Sequence, residues 1–159
     1  MTQNYELKGN CVCGEVKYKI TEKPLFTQAC HCNNCKVLTG SSYVVNTSVL
    51  EKSFFIDGKL SSTELIAGSG KTYKVFFCIK CGVIVYADYE TAKGRFTIRT
   101  KTLEDSKMFP PQAHIFIKYK DPWLNLSENE ICYETMYNPD KAWPEESLKR
   151  YKEYLGTIE

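Results

Sequence analysis

No stretch of this 159-residue chain approaches the roughly 18 consecutive apolar residues of a membrane span. It has no long basic run of the kind that grips nucleic acid, and its net charge is only +2. The opening residues Met1-Thr2-Gln3-Asn4-Tyr5-Glu6 lack the apolar segment of a signal peptide. There is no internal repeat and no low-complexity tract. These absences argue against membrane and nucleic-acid partners. They leave a soluble globular protein of a reducing compartment, the cytoplasm with the nucleus as the other option. The length suffices for one domain with a real core.

Histidine is scarce, with only His31 and His114, but cysteine is abundant, with eight. In a reducing compartment such cysteines are metal ligands sooner than disulfides. Cys30, Cys32 and Cys35 form a C-x-C-x-x-C motif within Cys30-His31-Cys32-Asn33-Asn34-Cys35. That spacing wraps three sulfurs around one ion and leaves a tetrahedral ion one corner short, the feature that separates catalytic from structural zinc. Cys11 and Cys13 form a C-x-C followed by Gly14, and Cys78 and Cys81 a C-x-x-C followed by Gly82. Both read as knuckles, a tight turn presenting two sulfurs with a glycine that permits positive φ. Two knuckles close one four-thiolate site and leave the middle three as a second, open one. Other partitions stay open at this level: His31 or His114 completing the second site, or one knuckle joining the trio. A thioredoxin-like role for Cys78 and Cys81 conflicts with the strand expected at Val83-Ile84-Val85-Tyr86. Cys132 stands alone and reads as an ordinary unligated cysteine.

The rest of the chain reads mostly as strand. Val16, Tyr18 and Ile20 alternate with charged residues. Leu25 to Ala29 forms a strand delivering Cys30, and Asn33 to Ser42 a turn or one short helix. Strands follow at Tyr43–Thr47, Phe54–Ile56, Ser62–Ala67, Tyr73–Phe77, Val83–Tyr86, Arg95–Arg99 and His114–Tyr119. Asp57-Gly58 marks a turn. Gly68-Ser69-Gly70-Lys71-Thr72 lacks the earlier glycine of a phosphate-binding loop, since that position is Leu65, and reads as a hairpin loop. Pro144 opens a helix with Glu145 and Glu146 in its first turn; Leu148, Tyr151 and Leu155 share a face, and Gly156 is its expected stop. The expectation is one compact, mainly β, mostly antiparallel domain with a short C-terminal helix.

In their order, Gly9-Asn10-Cys11-Val12-Cys13-Gly14-Glu15-Val16, Cys30-His31-Cys32-Asn33-Asn34-Cys35 and Phe77-Cys78-Ile79-Lys80-Cys81-Gly82 resemble the motifs of the glutathione-dependent formaldehyde-activating enzyme family, which also includes centromere protein V. His114-Ile115 and Pro122-Trp123 fit the same pattern. The resemblance covers residues 6–125, leaving 126–159 as an extension with a helix at about 144–155 packed on the same domain. It implies an Mss4-like β-tent of antiparallel sheets and two zinc ions per chain. Cys11, Cys13, Cys78 and Cys81 would hold a structural zinc, and Cys30, Cys32 and Cys35 a catalytic one. The implied activity is a zinc-dependent carbon–sulfur lyase reaction on a small thiol/aldehyde adduct, such as formation of S-hydroxymethylglutathione from glutathione and formaldehyde. The alternative is a non-catalytic zinc-binding module for a protein partner.

For such a reaction a zinc ion either stabilises a substrate thiolate or polarises a carbonyl oxygen. An anionic thiol such as glutathione calls for nearby cations, and Lys36, Arg95, Arg99 and Lys118 are the candidates against a reading as solvated surface charge. Alternation along the motif points His31 away from the metal. Trp123 and the tyrosines are expected in the core and on the sheet surface.

Overall fold

The computed structural model describes residues 5–159; the sequence suggests a short tail over residues 1–8 ahead of the first strand, which lies partly outside them, and Leu7 and Lys8 already belong to a strand. Within the described residues the chain is mainly β, with ten strands in two sheets. The smaller sheet holds β1 (Leu7–Asn10), β2 (Lys17–Ile20) and β5 (Phe54–Asp57) in the order β1-β2-β5. The larger adds β3 (Phe26–Cys30), β4 (Val44–Leu50), β6 (Leu60–Ile66), β7 (Thr72–Cys78), β8 (Ile84–Tyr89), β9 (Arg95–Arg99) and β10 (Ala113–Ile115). Its order is β10-β3-β4-β9-β8-β7-β6.

The sequence pattern explains this division. In β2, Tyr18 and Ile20 point inward while Lys17 and Lys19 remain in solvent, the alternation of a strand covered on one face. In β3 all five residues are buried, because this strand is covered on both faces. One face of the large sheet packs on the small one through Tyr18, Ile20, Val49, Phe54, Val85, Tyr86 and Ile98. The other face, with Phe26, Val44 and Leu50, is covered by the C-terminal segment through Tyr137 and Trp143.

Three expectations need correction. The strand expected at His114–Tyr119 is only Ala113–Ile115; Phe116 then takes φ 56°, and Ile117–Tyr119 is a 3-10 turn. That short strand pairs in parallel with β3, so the large sheet is mixed. The C-terminal helix does not stop at Gly156. Following the short helices α1 (Asn33–Thr39) and α2 (Pro139–Ala142), α3 runs Glu145–Ile158. Its apolar stripe continues beyond the glycine: Tyr154, Leu155 and Ile158 close over Gly94, which outweighs the roughly 1 kcal/mol a helical glycine costs. Trp123 is 68% exposed and outside the core; the buried tryptophan is Trp143, stacked on Phe26 with ring centres 6.0 Å apart.

Candidate metal centres and their surroundings

The two knuckles meet. Cys11 leaves β1 and Cys78 ends β7, and each is locked by a return bond: Cys11 N–H donates to Val16 O at 3.0 Å and Cys78 N–H to Val83 O at 3.0 Å. Gly14 and Gly82 follow the second sulfur of each turn at φ 75° and 74°, a region a side chain would disfavour. The sulfurs of Cys11, Cys13, Cys78 and Cys81 all lie within 4.8 Å of one another. Cys11 to Cys13 is 3.5 Å and Cys13 to Cys78 is 3.7 Å. A tetrahedron with zinc–sulfur bonds of about 2.3 Å has edges of about 3.8 Å, so this cage fits such an ion.

Electrostatics point the same way. Burial opposes ionisation of Cys11, but the Val16 amide and the three facing thiols outweigh it and hold the group at about 6. At Cys13 the Glu15 amide favours the thiolate, but burial and the sulfurs of Cys11, Cys81 and Cys78 push the thiol up to about 12. Four sulfurs this close cannot all be anions unless a cation sits among them.

The second group is built at the junction of β3 and α1. Cys30 ends the strand, Cys32 caps the helix, and Cys35 lies in its first turn, so three sulfurs converge within 4.8 Å. The Cys35 amide donates to Cys32 Sγ at 3.4 Å. Cys30 and Cys35 are buried, whereas Cys32 is half-buried and gives the group its opening. Hydrogen bonds from the Cys30 and Cys35 thiols, then from backbone amides, bring Cys32 down to about 3. Cys35 is helped by Cys30, but the charge on Cys32 and burial win and push it up to about 11. Cys30 is pushed far up by its two sulfur neighbours and burial. One negative charge is thus stable among the three sulfurs; three require a cation. Thiolate sulfur is a soft donor that suits zinc.

Neither histidine joins these sulfurs. His31 points to the opposite face of β3 and meets His114, Nε2 to Nδ1, at 2.9 Å. Glu130 takes the Nε2–H of His114, so Nδ1 of His114 accepts from His31. The remaining Nδ1 of His31 is buried with no hydrogen-bond partner. Burial, with His114 and Lys120 nearby, holds His31 at about 4; burial also lowers His114, against the pull of Glu130. Cys132 lies beside this pair, bridged through its backbone to His114, exposed and apart from both groups.

The candidate cations divide. Lys36 is engaged by Asp121 at 2.9 Å and by the Tyr119 carbonyl at 2.8 Å. Lys118 is exposed, over the ring of Tyr119. Arg95 and Arg99 instead point inward from β9, bound to Ser48 at 3.0 Å and Asn46 at 2.6 Å respectively. Glu130 and Asn46 have no local sequence signal: one sits in a polar irregular segment, the other in a β-rich run, and only strand register brings them to these places.

Residues 6–119 match the model of a family described as glutathione-dependent formaldehyde-activating enzyme. No curated protein matches the chain. A crystal structure of a Rhodobacter sphaeroides protein aligns with 61% of this chain and 87% of its own, at 19% identity and a TM-score of 0.48.

Proposed function

Because this chain belongs to the glutathione-dependent formaldehyde-activating enzyme family, we propose that it is a zinc-dependent carbon–sulfur lyase-type enzyme acting on a small thiol and an aldehyde. The specific case is formation of S-hydroxymethylglutathione from glutathione and formaldehyde. In that reaction the thiol sulfur forms a bond to the carbonyl carbon, the carbonyl electron pair moves to oxygen, and the thiol proton ends on that oxygen. Cys11, Cys13, Cys78 and Cys81 would hold a structural zinc and Cys30, Cys32 and Cys35 a second. Zinc on the trio would supply a fourth position that favours a thiolate or polarises a carbonyl. The observation that carries this reading is the convergence of three sulfurs with only Cys32 partly open to solvent.

The protein's own groups shape that opening. Cys30 is fixed by pairing with Val44, and Cys35 by the first turn of α1. Leu38 packs against Tyr73, Val75 and Ala87, placing the helix as a wall beside the group. Open thiolates need a reducing milieu, which supports a location in the cytoplasm or nucleus. Among the described residues no helix is long and apolar enough to cross a membrane.

The test is thiol–aldehyde condensation by zinc-loaded protein, beside Cys32→Ser. Wild type turns over; the variant loses activity and one zinc while melting close to wild type. Absence of turnover by the loaded wild type across a panel of thiols and aldehydes contradicts the reading. That outcome favours the binding-module alternative, for which Val12 and Ile79 speak: both are exposed and apolar at the tips of the joined knuckles.

A further inference from the structure

Arg99 is 6% exposed, and among the described residues no carboxylate meets it. Its Nη1 donates to Asn46 Oδ1 at 2.6 Å, while Nε and Nη2 have no partner. Burying a guanidinium is costly unless its donors are satisfied, and each idle donor adds to that cost. Nε and Nη2 form one edge of the guanidinium plane, the edge that receives both oxygens of a carboxylate side-on. Arg95 differs, because its guanidinium lies over the rings of Trp143 and Tyr151 and so takes part in packing.

Register places this edge. Arg99 is opposite Asn46, and Asn46 is opposite Gln28. Two residues further along β4, roughly 7 Å, Val44 is opposite Cys30. Side chains two apart share a face, so Arg99, Asn46 and Cys30 line the same side of the sheet, under α1 with Cys35. Tyr73 and Tyr89, a cross-strand pair of β7 and β8, stack with ring centres 4.7 Å apart on that same side of the sheet. A trio holding a divalent ion nets one negative charge. That charge offsets Arg99 from a distance but supplies no acceptor for its two idle N–H groups.

We propose that the Nε–Nη2 edge of Arg99 is a carboxylate subsite beside the cysteine trio, so that the thiol taken by this protein carries a carboxylate a few bonds from its sulfur. The proposal rests on the thiol reading above. A carboxylate fits better than a phosphate, because one planar edge with two idle N–H groups matches two carboxylate oxygens and Lys36 is already paired with Asp121.

The experiment is calorimetric titration of zinc-loaded full chain with N-acetylcysteine, its carboxamide, and N-acetylalanine. One charge-assisted pair predicts N-acetylcysteine at least about ten-fold tighter than the carboxamide. In Arg99→Gln that preference falls to within about two-fold, with carboxamide binding unchanged, and Arg99→Lys retains part of it. Equal binding of the two thiols by wild type overturns the subsite, as does a preference that survives Arg99→Gln. If the glutamine variant does not fold, wild type and Arg99→Lys decide. N-acetylalanine separates the two readings. Should both thiols bind equally and more tightly than it does, the subsite falls and the sulfur reading stands. Should it bind as tightly as N-acetylcysteine and depend on Arg99, the subsite stands and the sulfur reading falls.

Discussion

Replacing Gly58 with alanine tests how the turn after β5 supports the four-sulfur cage. Gly58 has φ +112°, and a Cβ there would lie 2.3 Å from Glu15 O and 2.8 Å from Val16 Cα. Both are backbone atoms, so relief requires the chain at 15–16 to move. That chain is the return arm of the first knuckle: Val16 N–H donates to Cys11 Sγ at 3.3 Å and Val16 O accepts from Cys11 N–H. A non-glycine residue at such φ costs about 1–3 kcal/mol, and forcing atoms into a filled site costs a similar ~1–3 kcal/mol. Together these make about 2–6 kcal/mol; at a middle value of about 4 kcal/mol, and about 2–4 °C per kcal/mol for a chain of this size, the midpoint falls by roughly 8–16 °C. Thermal melting of zinc-loaded Gly58→Ala measures this, and zinc transfer to a colorimetric chelator should be faster than from wild type. A midpoint within about 2 °C of wild type, with unchanged zinc release, would refute the coupling of turn to knuckle.

Two other predictions concern the C-terminal segment and the histidine pair. Trp143→Ala removes the ring stacked on Phe26 and lying over Arg95, for a loss of about 3–5 kcal/mol. Melting should drop and the tail become open to trypsin while zinc content holds; an unchanged melt contradicts the packing described. His31 and His114 are held neutral in the fold below their ordinary value, whereas the unfolded chain takes up protons near 6.5. Their contribution is therefore whole above about pH 6.5 and is lost as pH falls below it, for His31 toward about 4. Urea unfolding at several pH values should show a shallower loss for His114→Gln than for wild type, and parallel curves would sink the idea.

Much of the fold was legible because its cues are local. The alternation in β2, the Asp57-Gly58 turn and the glycines after each knuckle are written within a few residues of where they act. The grouping of the seven cysteines was legible too, since two paired turns and a tight trio admit few partitions. What was hidden depends on register. Phe116 turning left-handed shortens the last strand, and nothing around it announces that. Arg99 and Lys36 looked alike as candidate cations; sheet pairing buries the first beside Asn46, while Asp121 engages the second. Trp143 and Trp123 both follow or precede a proline, yet only the first is placed by neighbouring helices against Phe26. Gly156 carries the usual mark of a helix end, overridden by Ile158 packing at Gly94.

The central claim is that the seven clustered cysteines form two separate metal centres of four and three sulfurs. Elemental analysis after zinc loading and desalting tests it most directly, comparing wild type with the variant in which Cys30, Cys32 and Cys35 are all serine. Wild type should carry two zinc ions per chain and the variant, still folded, one. One zinc in both, or two in both, would contradict it.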